Sequence, residues 1–114
     1  MKLGHIELSV SNPLDSRDFY ENILGCEVTT IQNDQFVWLK LGEQEILLRP
    51  GIQQIRPPQY DEIHIGMVIY TDALEQDVAT MREKGVELHS MPDKCYIFTD
   101  PDGNWFQIVD PSDH

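Results

Sequence analysis

The start of the chain changes from a strand pattern to a helix pattern. Apolar residues occupy every second position between residues 4 and 10, as in a half-buried strand. Asn12 and Pro13 then form a typical helix start, with the asparagine as N-cap and the proline at the first helical position. Gly25 suits the left-handed residue that ends such a helix. The predicted buried stripe of this helix is Leu14, Phe19, Ile23 and Leu24.

Three short strands are predicted to complete the first half of the chain. They cover residues 27–31, 36–41 and 45–49, and polar or glycine-containing turns at 33–34 and 42–43 separate them. The first half therefore has the element order βαβββ.

The second half has the same order of patterns. A strand is predicted over residues 63–69, followed by a helix whose N-cap is Asp72 and whose capping-box partner is Glu75. Gly85 ends this helix, and three strands follow over residues 86–89, 96–99 and 104–109. The predicted apolar stripe of the second helix is Leu74, Val78 and Met81.

Four landmarks recur in the two halves at nearly equal spacing. His5 lies 20 residues before Gly25, and His64 lies 21 residues before Gly85. The next glycine follows after 17 and 18 residues, and a proline follows 8 residues later in both halves. The chain is therefore interpreted as a duplication, with module one at 3–50, a linker at 51–60 and module two at 61–111 in a single domain, 1–114. One module buries too little surface to be stable alone, so the two sheets are expected to pair.

Charge and composition narrow the possible partners. Eight Lys and Arg stand against 20 Asp and Glu, a formal net charge of −12, which repels nucleic acid and anionic membranes. No apolar run approaches the ~18 residues of a membrane span. The polar N-terminus does not match a signal peptide, which predicts a cytoplasmic protein. Cys26 and Cys95 are expected to be reduced core residues.

Two segments resemble motifs of a known family. Residues 98–107 (FTDPDGNWFQ) and residues 18–25 (DFYENILG), together with the doubled βαβββ order, resemble the vicinal oxygen chelate superfamily of glyoxalases, bleomycin resistance proteins and extradiol dioxygenases. The resemblance extends from His5 to Pro111. It implies an α+β fold in which two βαβββ modules form a curved mixed sheet around a cavity for a small molecule. It also implies a homodimer, in some relatives with cavities shared between chains.

The resemblance also implies a metal site. Members of the family carry metal ligands on the first and last strand of each module, and the matching positions are His5, His64 and Gln107. The fourth position, four residues after Gly42, is Ile46, which cannot bind a metal. Two imidazoles and an amide oxygen suit a divalent ion such as zinc, nickel, manganese or iron. Because Gln107 is neutral, it is a weaker ligand than the glutamate usual in relatives, and a site without metal remains an alternative.

Further residues are candidates for the same cavity. Glu7 lies two residues from His5, hence on the same strand face, and is the candidate catalytic base or an additional ligand. The alternative for Glu7 is a solvated glutamate at the cavity mouth. The candidates for the cavity wall are Trp38, Ile46, Phe98 and Trp105, and the three aromatic side chains are also compatible with an ordinary core role.

Three functions follow as expectations. The first is a glyoxalase-like enzyme whose divalent ion acts as a Lewis acid on vicinal substrate oxygens. The second is a metal-free protein of the bleomycin-resistance type that sequesters a drug or metabolite, which Ile46 and Gln107 favour and the paired histidines oppose. The third is a thiol transferase of the fosfomycin-resistance type, disfavoured because the chain ends soon after Pro111 and further substrate-binding residues are not recognised.

Overall fold

The computed structural model describes residues 1–51 and 59–113. These residues belong to two compact units, one on each side of the gap, which we call unit 1 and unit 2. The central part of the predicted linker, residues 52–58, lies outside the described residues.

Unit 1 is a four-stranded mixed sheet with one helix. Its elements are β1 (Ile6–Val10), α1 (Pro13–Asn22), β2 (Glu27–Gln32), β3 (Phe36–Leu41) and β4 (Gln44–Pro50), which confirms the predicted order βαβββ. The sheet order is β1-β4-β3-β2, in which β1 runs parallel to β4 and the other neighbours are antiparallel.

Helix α1 begins and ends where the sequence predicts. The side chain of Asn12 accepts hydrogen bonds from the backbone N–H groups of Leu14 at 3.1 Å and Asp15 at 3.4 Å. Gly25 has a φ of +72°, a conformation that glycine adopts without strain. The predicted stripe was wrong, because Leu14, Phe19, Ile23 and Leu24 are all only partly buried. The fully buried side, in which small Ser16 allows a close approach to the sheet, consists of Pro13, Ser16 and Tyr20.

The two faces of the unit 1 sheet have different chemistry. Helix α1 packs against β3 and β4, and the side chains of the covered face are almost fully buried. Strand alternation places the intervening residues on the opposite side, which we call the far face of unit 1. The covered face includes Leu8, Val10, Val37, Leu39, Ile46 and Leu48, and the far face includes Glu7, Trp38, Lys40, Glu45, Leu47 and Arg49.

Unit 2 repeats this topology. Its elements are β5 (Met67–Tyr70), α2 (Leu74–Glu83), β6 (His89–Met91), β7 (Cys95–Thr99) and β8 (Trp105–Val109). The sheet order is β5-β8-β7-β6, with β5 parallel to β8 and the other neighbours antiparallel. One turn of 3-10 helix, Tyr60–Glu62, precedes the sheet, and a second, Pro111–Asp113, follows it.

Two strands of unit 2 begin later than predicted. The strand expected from residue 63 begins at Met67, which pairs with Phe106 near the start of β8, so the preceding residues have little of β8 left to pair with. The strand expected over residues 86–89 begins only at His89, because the turn before β7 sets its pairing with Ile97. In that turn Asp93 has a φ of +66°.

The predicted capping box of α2 was also wrong. The hydroxyl of Thr71, rather than the carboxylate of Asp72, accepts the hydrogen bond from the Ala73 N–H at 3.0 Å. The same hydroxyl donates to Asp77 at 2.5 Å. Glu75 instead accepts a hydrogen bond from the hydroxyl of Tyr96 at 3.1 Å, which ties α2 to β7.

The core of unit 2 lies between α2 and its sheet. The predicted stripe is confirmed, since Leu74, Val78 and Met81 are buried. On the same side of the sheet, Phe98 and Phe106 stack with ring centroids 5.4 Å apart. The opposite side, which we call the far face of unit 2, includes Val68, Tyr70, Cys95, Ile97, Trp105, Gln107 and Val109.

The α+β class is confirmed by both units. Each combines a four-stranded mixed sheet with one helix of 10 residues. Among the described residues, no helix has the length and apolar character needed to cross a membrane.

Candidate functional site

His5 and Glu7 form a close pair on the far face of unit 1. His5 directly precedes β1 and Glu7 lies within it, so the two side chains project to the same side. The Nε2 atom of His5 lies 2.9 Å from Oε2 of Glu7. Arg49, on the neighbouring strand β4, donates to the other oxygen, Oε1, at 3.3 Å. Both oxygens of Glu7 therefore face groups that stabilise a carboxylate.

These contacts lower the pKa of Glu7 from its ordinary value of 4.5. The hydrogen bond with His5 is the largest cause, partial desolvation opposes it, and the charge of Arg49 adds to it. Glu7 is therefore a carboxylate at neutral pH, able to accept a proton or to contact a cation.

The aromatic ring of Trp38 fixes the position of His5. Its ring meets the imidazole edge-on, with centroids 4.8 Å apart and an interplanar angle of 68°. The indole N–H donates to the side-chain oxygen of Gln32 at 2.9 Å, which holds Trp38 in turn. Trp38 thus lies on the predicted face, as a neighbour of His5.

Gln107 is the polar centre of a second cluster, on the far face of unit 2. Its ladder neighbours, Val68 on β5 and Ile97 on β7, are apolar. The hydroxyl of Tyr60 donates to Oε1 of Gln107 at 2.9 Å. The ring of Tyr60 also meets that of Trp105 edge-on, with centroids 6.1 Å apart.

Burial raises the pKa of Tyr60 above its ordinary value of 10, and the nearby thiol of Cys95 raises it further. The phenol therefore keeps its proton at neutral pH and acts as a hydrogen-bond donor to Gln107.

His64 lies outside the strand in which it was predicted. It is exposed in a bend between the 3-10 turn and β5. Within residues 1–51 and 59–113, no group of three or more His, Cys, Asp or Glu side chains is gathered around a common point suited to a metal.

Two residues expected in the cavity lie on helix-covered faces instead. Ile46 is 4% exposed and pairs with Ile6 and Leu39 on the side covered by α1. Phe98 is fully buried against Phe106 beside α2. Phe98 therefore takes the core role that the sequence also allowed, and Ile46 fills the core of unit 1 rather than a cavity wall.

The error at Ile46 came from counting residues after a glycine. The hairpin after β3 closes with the two-residue turn 42–43, whereas the hairpin after β7 closes with five residues, 100–104. Equal counts from the two glycines therefore lead to opposite faces, covered for Ile46 and far for Gln107. On the far face of unit 1, Glu45 and Leu47 flank that position.

Sequence reasoning missed the partners that hold the candidate residues. Tyr60 lies 47 residues from Gln107 in sequence and was assigned to the linker, so no local pattern connected them. Gln32 was placed beyond the end of a strand. Arg49 lies at the end of a predicted strand, but its position beside Glu7 depends on the order of strands in the sheet, which the local pattern does not reveal.

The His5–Glu7 separation of 2.9 Å is that of a hydrogen bond. Imidazole nitrogen and carboxylate oxygen are both donor types that zinc binds. In unit 2, the carbonyl oxygen of Gln107 accepts one hydrogen bond from Tyr60 and retains a second lone pair.

Comparison with known proteins agrees with the fold and the motifs. The family model of the Glyoxalase/Bleomycin resistance protein/Dioxygenase superfamily matches residues 2–108. The metallothiol transferase FosB of Staphylococcus epidermidis is 28% identical over 118 aligned positions, which cover 93% of this chain and 81% of FosB.

Solved structures give the same result for the fold. The fosfomycin resistance protein FosX of Listeria monocytogenes, in complex with Mn(II) and 1S,2S-dihydroxypropylphosphonic acid, superposes with a TM-score of 0.74 at 20% identity, covering 95% of this chain and 88% of FosX. Lactoylglutathione lyase of Agrobacterium tumefaciens gives 0.72 at 18% identity, covering 96% and 93% of the two chains. On the evidence of the matching family model, the protein belongs to the Glyoxalase/Bleomycin resistance protein/Dioxygenase superfamily.

Proposed function

We propose that the protein is a divalent-metal-dependent enzyme that acts on a small molecule through vicinal oxygens. The observation that carries this proposal is the His5–Glu7 pair, in which an imidazole nitrogen and an ionised carboxylate stand 2.9 Å apart. This pair combines a metal donor with a proton acceptor on the far face of unit 1. The family membership supports the same conclusion.

The proposed ligands are His5, His64 and Gln107, and Glu7 lies beside His5. His64 and Gln107 are included because they match the ligand positions of the family in module two. A bound divalent ion supplies Lewis-acid stabilisation to an oxyanion of the substrate. The part of Glu7 is to accept a proton at Oε2, while Arg49 keeps its other oxygen occupied. Trp38 keeps the imidazole of His5 oriented.

Transfer of a thiol to a small electrophile is the reaction class that the curated relatives favour. FosB is a metallothiol transferase by name and matches this chain over nearly its whole length. The bound molecule in the FosX structure carries two adjacent hydroxyl groups and a phosphonate. A lyase reaction is the second candidate, supported by the structural likeness to lactoylglutathione lyase.

The metal-free binding function loses one of its two supports. The sequence places Ile46 at a ligand position of the family, which suggested a lost metal ligand. Because its side chain lies in the core under α1, it is not evidence for or against a metal site on the far face. The neutral side chain of Gln107 remains as its single support.

Metal binding by the purified protein tests the proposal. Isothermal titration with zinc(II) and manganese(II), each alone, is expected to give near-stoichiometric binding that His5→Ala abolishes and Glu7→Gln weakens. His89→Ala is the matched control, because His89 also lies two residues from a glutamate, Glu87, but at 3.6 Å and on exposed β6.

Activity then separates the two reaction classes. With the metal loaded, consumption of fosfomycin by a small thiol indicates thiol transfer, and turnover of the methylglyoxal–glutathione adduct indicates a lyase. Absence of metal binding, or binding that survives His5→Ala, contradicts the proposed function.

We also propose that the protein forms a homodimer. Ile65, Val68 and Tyr70 lie in or beside edge strand β5 and are 80%, 47% and 70% exposed. Exposed apolar side chains on an edge strand are commonly covered by a partner. Light scattering after size exclusion is expected to give twice the chain mass of 13.2 kDa, and a single-chain mass contradicts the proposal.

A further inference from the structure

The hydroxyl of Tyr60 reaches the far face of unit 2 from outside the sheet. It belongs to the 3-10 turn Tyr60–Glu62 and lies next to Gly66, where an added Cβ would be 3.6 Å from it. The hydroxyl therefore sits between the segment leading into β5 and the middle of β8.

Two contacts hold Tyr60 in this place. Its ring packs edge-on against Trp105, and its hydroxyl donates to Gln107 at 2.9 Å. Trp105 and Gln107 are two residues apart on β8 and hence on the same face. A tyrosine bound at both its ring and its hydroxyl has little rotational freedom.

Gln107 depends on this contact for its orientation. Its neighbours across both ladders, Val68 and Ile97, offer no side-chain hydrogen bonds. A glutamine side chain has several freely rotating bonds, and its amide has chemically different ends, an acceptor oxygen and a donor nitrogen. The hydroxyl of Tyr60 donates to the amide oxygen rather than accepting from the amide nitrogen, and this bond fixes the direction of the amide.

We infer that Tyr60 is a positioning residue for Gln107, holding the amide oxygen in the orientation in which its second lone pair binds the divalent ion. The inference rests on the proposed function in taking Gln107 as a ligand. It adds a residue that lies outside the family's ligand positions. Groups that orient a metal ligand through a hydrogen bond commonly change metal affinity by about 10- to 100-fold when they are removed.

Tyr60→Phe tests the inference, with Tyr96→Phe as matched control. Tyr96 also donates its hydroxyl within unit 2, but to Glu75 of α2, on the side away from Gln107. The first measurement needs no metal: the side-chain amide resonances of Gln107 in a ¹⁵N-edited NMR spectrum. In Tyr60→Phe they are expected to move to the position of a freely rotating glutamine, and in Tyr96→Phe they are expected not to move.

The second measurement is the dissociation constant of zinc(II), titrated alone. Tyr60→Phe is expected to weaken zinc binding at least tenfold without changing the thermal unfolding midpoint of the metal-free protein, and to have no further effect in a Gln107→Ala background. Gln107 resonances that stay in place in Tyr60→Phe, or zinc affinity that is unchanged or tighter, overturn the inference. If Gln107→Ala leaves the zinc affinity unchanged, the ligand assignment itself fails, and with it the inference. The single variants distinguish the two failures.

Discussion

The two units share one topology, but their far faces carry different chemistry. The far face of unit 1 is charged, with Glu7 between His5 and Arg49. The far face of unit 2 is aromatic and aliphatic, and its polar centre is the neutral pair of Tyr60 and Gln107. The covered faces, in contrast, are alike, because both consist of aliphatic and aromatic side chains under one helix.

This difference shows at which positions the two units can differ in side-chain chemistry while keeping the same topology. Residues of the covered face must fill a close-packed core, so their chemistry is restricted in both units. The far faces are more exposed, although Leu47, Cys95, Ile97 and Val109 are buried there too, and their exposed positions differ in chemistry between the units. Charged side chains are accordingly concentrated on the far face of unit 1, and exposed apolar side chains on that of unit 2.

The largest expected effect is a loss of stability when an aromatic ring is removed from the covered face of unit 2. Phe98→Ala removes a fully buried ring stacked on Phe106 and is expected to destabilise the protein by about 3–5 kcal/mol. Trp105→Ala removes a half-buried ring on the far face and is expected to cost clearly less. Urea unfolding monitored by circular dichroism measures both free energies, and equal losses contradict the assignment of faces.

The second prediction adds a negative charge to the far face of unit 2. Gln107→Glu places a carboxylate beside the hydroxyl of Tyr60, which can donate to it as it does to the amide. Added ligand charge is expected to tighten divalent-ion binding about tenfold, equivalent to ~1.4 kcal/mol. Titration with zinc(II) measures the change. Unchanged or weaker binding would show that Gln107 is not a ligand.

Most of the fold followed from the sequence, because it depends on local patterns. The alternation of Ile6, Leu8 and Val10 and the cap at Asn12 act within a few residues, so they could be read directly. The start of β5 could not, because it depends on where the distant strand β8 begins.

The candidate site was predicted only in part for the same reason. His5 and Glu7 are neighbours in sequence, and their contact follows from strand geometry. The contact of Gln107 with Tyr60 spans 47 residues and depends on how the 3-10 turn folds back. The face of Ile46 depends on where a hairpin closes, which a count from Gly42 does not reveal.

The third prediction compares how the two helices begin. Asn12→Ala removes the side-chain cap of α1 and is expected to cost about 1 kcal/mol. In unit 2 the corresponding loss is expected from Thr71→Ala, because the Thr71 hydroxyl holds both Ala73 and Asp77. Asp72→Ala is the control and is expected to change the unfolding free energy very little. A larger loss from Asp72→Ala than from Thr71→Ala would restore the capping box predicted from sequence.

The smallest expected effect concerns the ionisation of Glu7, which distinguishes unit 1 from unit 2. Its pKa lies below the ordinary 4.5, mainly through His5 and to a lesser extent through Arg49. Because the folded pKa is the lower one, the stabilisation from Glu7 is present above the unfolded pKa and is lost as the pH falls through the folded value. The side chain is exposed, so this contribution to stability is small.

Carbon-13 NMR titration of the Glu7 carboxyl group resolves the two causes of this shift. His5→Ala is expected to raise the pKa of Glu7 most of the way towards 4.5, and Arg49→Ala to raise it less. Added salt is expected to reduce the effect of Arg49, because exposed charges are screened, more than the effect of the direct hydrogen bond. If Arg49→Ala has the larger effect, the charge of Arg49 on β4, rather than the hydrogen bond with His5, is the main cause of the lowered pKa of Glu7. The far face of unit 1 would then be organised around Arg49, and the imidazole of His5 would be free of the carboxylate.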